Sequence, residues 1–145
     1  MNDPTKNQKP SKRAIASVCI IDDDPITVFC LKKLLGIVLA SKEITTHNNG
    51  KVALQYLKKA LDTQKPMPEI IFLDINMPVM DGWQFLEEFI ALPVNEVVKI
   101  VIATSSIDPV DKEKWEHFMA RTKHSITYQN KPIERNRIQE ILDKA

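Results

Sequence analysis

The chain has 145 residues, of which 43% are hydrophobic, so it can bury one substantial core but is short for two ordinary domains. Its 20 basic and 19 acidic side chains leave a formal charge of +1, so no global charge draws it to nucleic acid or to an anionic membrane. No apolar run approaches the roughly 20 residues needed to cross a bilayer. We therefore expect one cytoplasmic domain that selects its partners through a local site.

The first residues are polar and rich in Lys, Asn and Pro, and they lack the apolar core of a signal peptide. We predict a disordered tail at residues 1–15 and a folded domain at residues 16–145. Cys19 and Cys30 lie in apolar stretches without metal-ligand spacing, and we expect both to be reduced core residues. The histidines are scattered and are expected at the surface: His47, His117 and His124.

The first third of the chain predicts a strand, a helix, a strand and a helix. Residues 17–21 are mostly β-branched or apolar, which is typical of a strand buried on both faces. Asp24 then suits a helix N-cap and Pro25 a first helical turn. Apolar residues follow near helical spacing: Ile26, Phe29, Cys30, Leu34 and Ile37 or Val38. A second strand is predicted at 44–46, a turn at 47–50 and a helix at 52–61.

The alternation continues to the end of the chain. A fully apolar strand is predicted at 70–73 and stops at Asp74, and the loop after it leads into a helix with Phe85, Leu86, Phe89 and Ile90 on one face. A fourth buried strand at 99–103 ends at Thr104. Asp108 and Pro109 open a helix on which Trp115, Phe118 and Met119 are interpreted as core residues. A fifth strand is predicted at 126–128, and the last helix carries Ile133, Ile138, Ile141 and Leu142.

Five strands that alternate with five helices predict a parallel sheet with helices on both faces. The flavodoxin-like, doubly wound solution of this size has strand order 2-1-3-4-5. Ligands bind such sheets beyond the carboxyl ends of the strands, where the strand order reverses. That edge is therefore the place to look for chemistry.

Reactive or charged groups follow the strands that would be central. Asp22 and Asp23 follow the first strand, Asp74 the third, Thr104 the fourth and Lys131 the fifth. Three crowded carboxylates repel one another, which makes sense chiefly when a divalent cation lies among them. Oxygen ligands without His or Cys favour Mg²⁺, which commonly binds one or two carboxylates together with a phosphate.

A phosphoryl ligand gives each remaining residue a task. The Asp74 carboxylate can act as the nucleophile and form an aspartyl phosphate. The Thr104 hydroxyl can donate to one phosphoryl oxygen and the Lys131 ammonium can pair with another. Asp24 is explained by its helix cap, and Asp81 with Gly82 by a turn and a helix start.

This constellation resembles the receiver domains of bacterial response regulators, the family of the chemotaxis signalling protein. The motifs that carry the resemblance are Asp22 and Asp23 closing a buried strand; Leu73, Asp74, Ile75, Asn76, Met77 and Pro78 continuing to Met80, Asp81 and Gly82; Thr104 with Ser105; and Lys131 followed by Pro132. Each motif is weak alone. Together, in this order and at the strand ends, they are very specific.

The resemblance implies a stand-alone receiver of a two-component system that promotes only its own phosphorylation and dephosphorylation and is not otherwise an enzyme. A histidine kinase or a His-phosphotransfer protein would phosphorylate Asp74, and a downstream protein would read the surface of the fourth helix, fifth strand and fifth helix. Mg²⁺ or Mn²⁺ would be held by Asp23, Asp74 and the backbone carbonyl of Asn76, with Asp22 acting through water.

The resemblance also assigns a switch. Thr104 and Tyr128 would move together on phosphorylation, and the bond from Lys131 to Pro132 is expected to be cis. Ser105 and Ser106 are candidate modulators of phosphate lifetime, as is the side chain of Asn76. The alternative is that these serines are only polar groups of a loop.

Three rival functions remain open. Phosphatases of the haloacid-dehalogenase type share an aspartate nucleophile, a Thr or Ser, a Lys and Mg²⁺, but usually carry an acid two residues after the nucleophile, where this chain has Asn76. A flavodoxin-like binding module would need a phosphate-cradling loop after the first strand, where this chain has Asp22, Asp23 and Asp24. A degenerate receiver that acts only as a docking module would not need the intact site.

Overall fold

The computed structural model describes residues 13–14, 17–41 and 43–143. Its main sheet has five strands, which are β1 (Val18–Ile21), β2 (Ile44–His47), β3 (Ile70–Leu73), β4 (Lys99–Thr104) and β5 (Ser125–Asn130). They are all parallel and lie in the order β2-β1-β3-β4-β5. This order confirms the predicted doubly wound, flavodoxin-like fold.

Five helices connect and follow the strands. They are α1 (Pro25–Val38), α2 (Gly50–Asp62), α3 (Gly82–Phe89), α4 (Pro109–Met119) and α5 (Arg135–Asp143). The predicted caps are confirmed, because the Asp24 carboxylate accepts from the backbone N–H of Ile26 and the Asp108 carboxylate from that of Val110. Asp81 starts α3 as its N-cap in a capping box with Gln84. Local side-chain chemistry therefore fixes where α1, α3 and α4 begin.

The sheet separates two apolar clusters. On one face, Ile21, Ile71 and Leu73 pack with residues of α2 and α3, among them Leu57 and Phe85. On the other face, alternate residues of the same strands, among them Ile20 and Phe72, pack against residues of α1 and α5 that include Leu35 and Ile138. Because both faces of β1 and β3 are covered, all eight residues of these two strands are buried. This explains their continuous apolar sequences.

The apolar residues predicted for helix α1 are only partly on its packed side: Val38 is buried and Leu34 packs against the core at half burial. The residues it buries are Leu31, Leu35 and Val38. Ile26, Phe29, Cys30 and Ile37 are exposed. Apolar residues occur all round this helix, so periodicity alone could not decide which side meets the sheet.

Three predictions of burial were wrong, those for Cys30, His124 and Met119. Cys19 is buried as expected, but Cys30 is an exposed free thiol on α1. His124 is buried rather than at the surface, and its Nδ1 accepts a hydrogen bond of 2.9 Å from the backbone N–H of Val98. Of the three core candidates on α4, Phe118 is buried, Trp115 half-buried and Met119 exposed.

A second, two-stranded sheet pairs Arg13–Ala14 with Leu39–Ser41 in parallel. Apart from that pair, the tail predicted at residues 1–15 lies outside the described residues. Within the described ranges, no helix has both the length and the apolar character needed to cross a bilayer.

Candidate functional site

The register of the central strands brings two of the predicted carboxylates side by side. Ile21 of β1 pairs with Leu73 of β3 at the last position of each strand. The next residues are Asp22 and Asp74, and the backbone N–H of Asp74 continues the ladder by donating to the carbonyl of Ile21 at 2.9 Å. Both carboxylates are buried, with 6% of Asp22 and 5% of Asp74 exposed. Strand register alone thus places two acids at the switch in strand order.

Strands β4 and β5 bring the hydroxyl and the ammonium to the same edge. Thr104 is the last residue of β4, is fully buried and pairs with Asn130, the last residue of β5. The backbone N–H of Lys131 donates to the carbonyl of Thr104 at 2.8 Å. The Lys131 ammonium lies 2.9 Å from Oδ2 of Asp22 and 3.6 Å from Oδ1 of Asp74. One cation therefore bridges the two buried acids.

A glycine allows the start of α3 to lie close to the backbone that follows β3. The backbone N–H of Gly82 donates to the carbonyl of Ile75 at 2.8 Å. A Cβ atom at position 82 would lie 2.5 Å from the carbonyl oxygen of Asp74, nearer than real Cβ contacts. Only glycine allows the start of α3 to approach the backbone of Asp74 this closely.

The electrostatics show that the edge holds more negative charge than Lys131 neutralises. Burial, and next the negative charge of Asp22, raise the pKa of Asp74 to about 6, although Lys131 acts in the opposite direction. Burial opposes the charged form of Lys131, but the hydrogen bond to Asp22 and the neighbouring carboxylates outweigh it and raise the pKa of that ammonium. The site therefore favours an additional positive charge.

Asp22, Asp23 and Asp74 form a group that fits a metal ion. Each offers a carboxylate oxygen, and these atoms all lie within 4.8 Å of one another. Asp23 is exposed while the other two are buried, so an ion here would keep one side open to water and to a further ligand. An all-oxygen donor set with an open side suits Mg²⁺, which retains several waters. Asp24 is not in this group and instead caps α1.

The other sequence-predicted residues occupy different positions around this edge. Asn76 is exposed in the loop that follows Asp74. Ser105 is exposed and Ser106 half-buried in the loop after β4. Tyr128 lies on β5 with its ring 5.6 Å from that of Trp115 on α4, and the peptide bond from Lys131 to Pro132 is cis as predicted. The metal contact of Asn76 and the movement of Tyr128 stay predictions.

Sequence reasoning missed one polar contact near this edge. The indole Nε1 of Trp83, on the first turn of α3, donates to Oδ1 of Asp111 on α4 at 2.9 Å. The other oxygen of that carboxylate accepts from the hydroxyl of Ser106. No sequence pattern signals this pairing, because Trp83 and Asp111 are separated by 28 residues and each fits an ordinary helix position.

Comparisons with known proteins agree with this geometry. The model of the response regulator receiver domain matches residues 18–143. An uncharacterized response regulatory protein of Vibrio cholerae is 29% identical over 126 residues, which cover 86% of this chain and 42% of that protein. The chain spans less than half the length of the curated relatives compared with it.

Solved structures give the same result. A two component response regulator from Cytophaga hutchinsonii superposes with a TM-score of 0.74 at 27% identity, covering 90% of this chain and 96% of that one. A chain of the CheX-CheY-BeF3-Mg²⁺ complex from Borrelia burgdorferi shares the fold, with a TM-score of 0.67 at 21% identity and coverage of 87% of this chain and 85% of that one. The chain therefore belongs to the response regulator receiver domain family.

Proposed function

We propose that this receiver is a Mg²⁺-dependent phospho-acceptor whose phosphorylated residue is Asp74. One observation carries the proposal: Asp74 is a buried carboxylate that shares its edge with Asp22, Asp23 and Lys131, at the switch in strand order. A carboxylate placed there can attack a phosphorus atom while a metal ion and an ammonium neutralise the charge on the phosphoryl oxygens. The main contribution of the protein is thus position and charge.

Each neighbour of Asp74 has a defined task in this proposal. Asp23, Asp74 and the backbone carbonyl of Asn76 would hold the ion, and Asp22 would act through water. Mg²⁺ or Mn²⁺ would supply the positive charge that the edge favours. Lys131 pairs with one phosphoryl oxygen and the Thr104 hydroxyl donates to another. Ser105 and Ser106 modulate the lifetime of the phosphoryl group.

The proposed donor is a histidine kinase or a His-phosphotransfer protein, and the proposed reader is a downstream protein. A phosphoryl group brings about two negative charges and three strong acceptor oxygens, so it draws Thr104 towards Asp74 and leaves space for Tyr128 to turn. The surface formed by α4, β5 and α5 then differs between the two states. The contact of Tyr128 with Trp115 of α4 supports this route.

The phosphatase alternative is less well supported by the site. A general acid would have to protonate the leaving group, and the position two residues after Asp74 is Asn76, an exposed amide. We therefore propose that the chain transfers a phosphoryl group only onto and off itself. Rapid hydrolysis of a generic phosphate ester by the wild type, abolished in Asp74→Asn, would favour the phosphatase instead.

Intact-mass measurement after treatment with acetyl phosphate tests the proposal. Wild type with Mg²⁺ is expected to gain one phosphate, and wild type with a chelator little or none. Asp74→Asn should gain none, whereas Asp24→Asn, a matched change in the same acidic run, should be labelled like wild type because Asp24 caps α1 and lies outside the group of three carboxylates. Equal labelling of Asp74→Asn and wild type would contradict the proposal.

A further inference from the structure

A series of hydrogen bonds leads from Thr104 away from the acidic edge to helix α3. The backbone N–H of Ser106 donates to Oγ1 of Thr104 at 3.0 Å. The hydroxyl of Ser106 donates to Oδ2 of Asp111, and Oδ1 of the same carboxylate accepts from the indole of Trp83 at 2.9 Å. A single side chain on α4, that of Asp111, thus links the β4–α4 loop to α3.

Both ends of this series are fixed in the core. Trp83 is 7% exposed and its ring stacks on that of Phe118, with the centroids 5.7 Å apart and the planes 8° from parallel. Thr104 is fully buried at the other end. Hydrogen bonds to an ionised carboxylate are stronger than bonds between neutral groups. The carboxylate of Asp111 is therefore a strong link between two parts that pack firmly.

Ser106 is also held by two neighbours outside the series. The backbone N–H of Asp108 donates to its Oγ at 3.2 Å, and the side-chain amide of Asn130 donates to its carbonyl at 3.1 Å. If Thr104 moves towards Asp74, Ser106 must either follow and strain these bonds or lose its bond to Oγ1. In the first case the bond from Ser106 to Asp111 is strained as well, and in the second Thr104 loses a donor that Asp111 helps to hold in place.

We propose that Asp111 is a positioning residue that holds Ser106, and through it Thr104, in the arrangement described here, and that it thereby opposes the phosphorylated state. This inference rests on the proposed function, because it concerns the movement that a phosphoryl group on Asp74 would cause. A contact that is intact in one state and strained in the other sets the balance between them. Loosening the link should therefore favour the phosphorylated state and anything that mimics it.

Three substitutions separate this role from a general structural one. Asp111→Ala removes both bonds of the carboxylate, and Trp83→Phe removes only the indole donor while it keeps an aromatic ring against Phe118. Asp111→Asn keeps an oxygen that can accept from Trp83 and an amide that can donate to the hydroxyl of Ser106, so it should restore much of the wild-type behaviour. Glu113→Ala is the matched control, since it removes an exposed acid from the same helix.

Calorimetric titration with beryllofluoride and Mg²⁺ measures how readily the protein adopts the phosphorylated state, because beryllofluoride imitates the phosphoryl group. Asp111→Ala is expected to bind roughly three- to tenfold more tightly than wild type, the change that loss of about one net hydrogen bond in one state produces. Trp83→Phe should also increase the affinity for beryllofluoride, but by less. In the double variant the change in binding free energy should be smaller than the sum of the two single changes, because Trp83 and Asp111 share one hydrogen bond. Glu113→Ala should bind like wild type.

A spectroscopic signal gives a second readout. The chain has two tryptophans, so two indole N–H signals are expected and the Trp83→Phe spectrum assigns one of them. In wild type, beryllofluoride should shift the Trp83 signal and speed its exchange with solvent, whereas in Asp111→Ala exchange should already be fast. Affinity in Asp111→Ala equal to or weaker than wild type would overturn the inference. Absence of binding in wild type itself would contradict the proposed function and remove the inference with it.

Discussion

The two ends of the sheet bury polar groups in opposite ways. At the carboxyl end, Asp22 and Asp74 are buried beside each other with Lys131 as their shared counter-ion, and the pKa of Asp74 rises to about 6. At the amino end, buried His124 accepts from the N–H of Val98, and the ammonium of Lys99 donates to the carbonyl of Ile141 at 2.6 Å. One end retains excess negative charge, while the other matches donors with acceptors.

The two ends of the sheet therefore contribute differently to the stability of the fold. Matched hydrogen bonds at the amino end stabilise the fold, because each buried group keeps a partner. Crowded carboxylates at the carboxyl end destabilise it unless a cation or a proton joins them. An edge that is electrostatically unfavourable when alone favours the binding of a cation, which is what the proposed function requires.

Removal of a metal ligand should have the largest effect at the carboxyl end. Asp23→Ala is expected to weaken Mg²⁺ binding by roughly ten- to a hundredfold or more, since even partners of ligands commonly contribute that much. The Trp83 indole, near the site on α3, can report binding by its fluorescence. Asp24→Ala is the control and should change stability through its helix cap while leaving Mg²⁺ affinity close to wild type. The reverse ranking would mean that the wrong acid in this run has been assigned to the ion.

Neutralising Asp74 should stabilise the protein in the absence of metal. Its pKa rises from the usual 3.8 to about 6 on folding. The protonated carboxyl therefore contributes its full stabilisation when the pH is below the pKa of the unfolded chain, and this stabilisation is lost as the pH rises through about 6. Above that pH, Asp74→Asn should raise the free energy of unfolding by up to about 3 kcal/mol. Denaturant unfolding with a chelator present measures the difference, which should shrink towards pH 4 and be reduced by Mg²⁺.

At the amino end, the pH dependence of stability should have the opposite sign. His124→Ala is expected to lower the free energy of unfolding by about 1–3 kcal/mol near neutral pH, because the N–H of Val98 loses its acceptor. Burial lowers the pKa of His124, so the stability gained from the neutral ring is present above its usual value of 6.5 and is lost as the pH falls through the lower folded value. The difference in the free energy of unfolding between wild type and His124→Ala should therefore decrease as the pH is lowered.

A matched variant sharpens that test. His124→Asn keeps an acceptor near the position of Nδ1 but does not titrate in this range, so its stability should fall less with decreasing pH than that of wild type. Denaturant unfolding at a series of pH values gives both comparisons. A gap between wild type and His124→Ala that stays constant with pH would contradict the assignment of a neutral, buried His124.

The carboxyl end was predictable from the sequence because its information is local. Buried strands show as apolar runs, and the residues that end them, such as Asp22, Asp74 and Thr104, lie on the site edge as a direct result of parallel register. The caps at Asp24 and Asp108 are equally local. The fold, the strand order and the position of these residues at one edge therefore followed from short segments read in order.

Features that depend on which distant segments meet could not be predicted. His124 is buried because its loop packs against Val98 and Phe89, and Cys30 is exposed because α1 turns another apolar side to the sheet. The link through Asp111 has the same cause, since its two partners come from separate parts of the chain. Residue type and spacing along the chain do not predict such contacts.

Chemical mapping of the phosphorylated residue tests the central claim most directly. Borohydride reduces an acyl phosphate of aspartate to homoserine, so wild-type protein treated with acetyl phosphate and Mg²⁺, then reduced and digested, reports the acceptor by peptide mass. The account predicts homoserine at position 74 alone, and much less of it when Mg²⁺ is chelated. Homoserine at position 22 or 23 with none at 74, or equal yields with and without Mg²⁺, would contradict it.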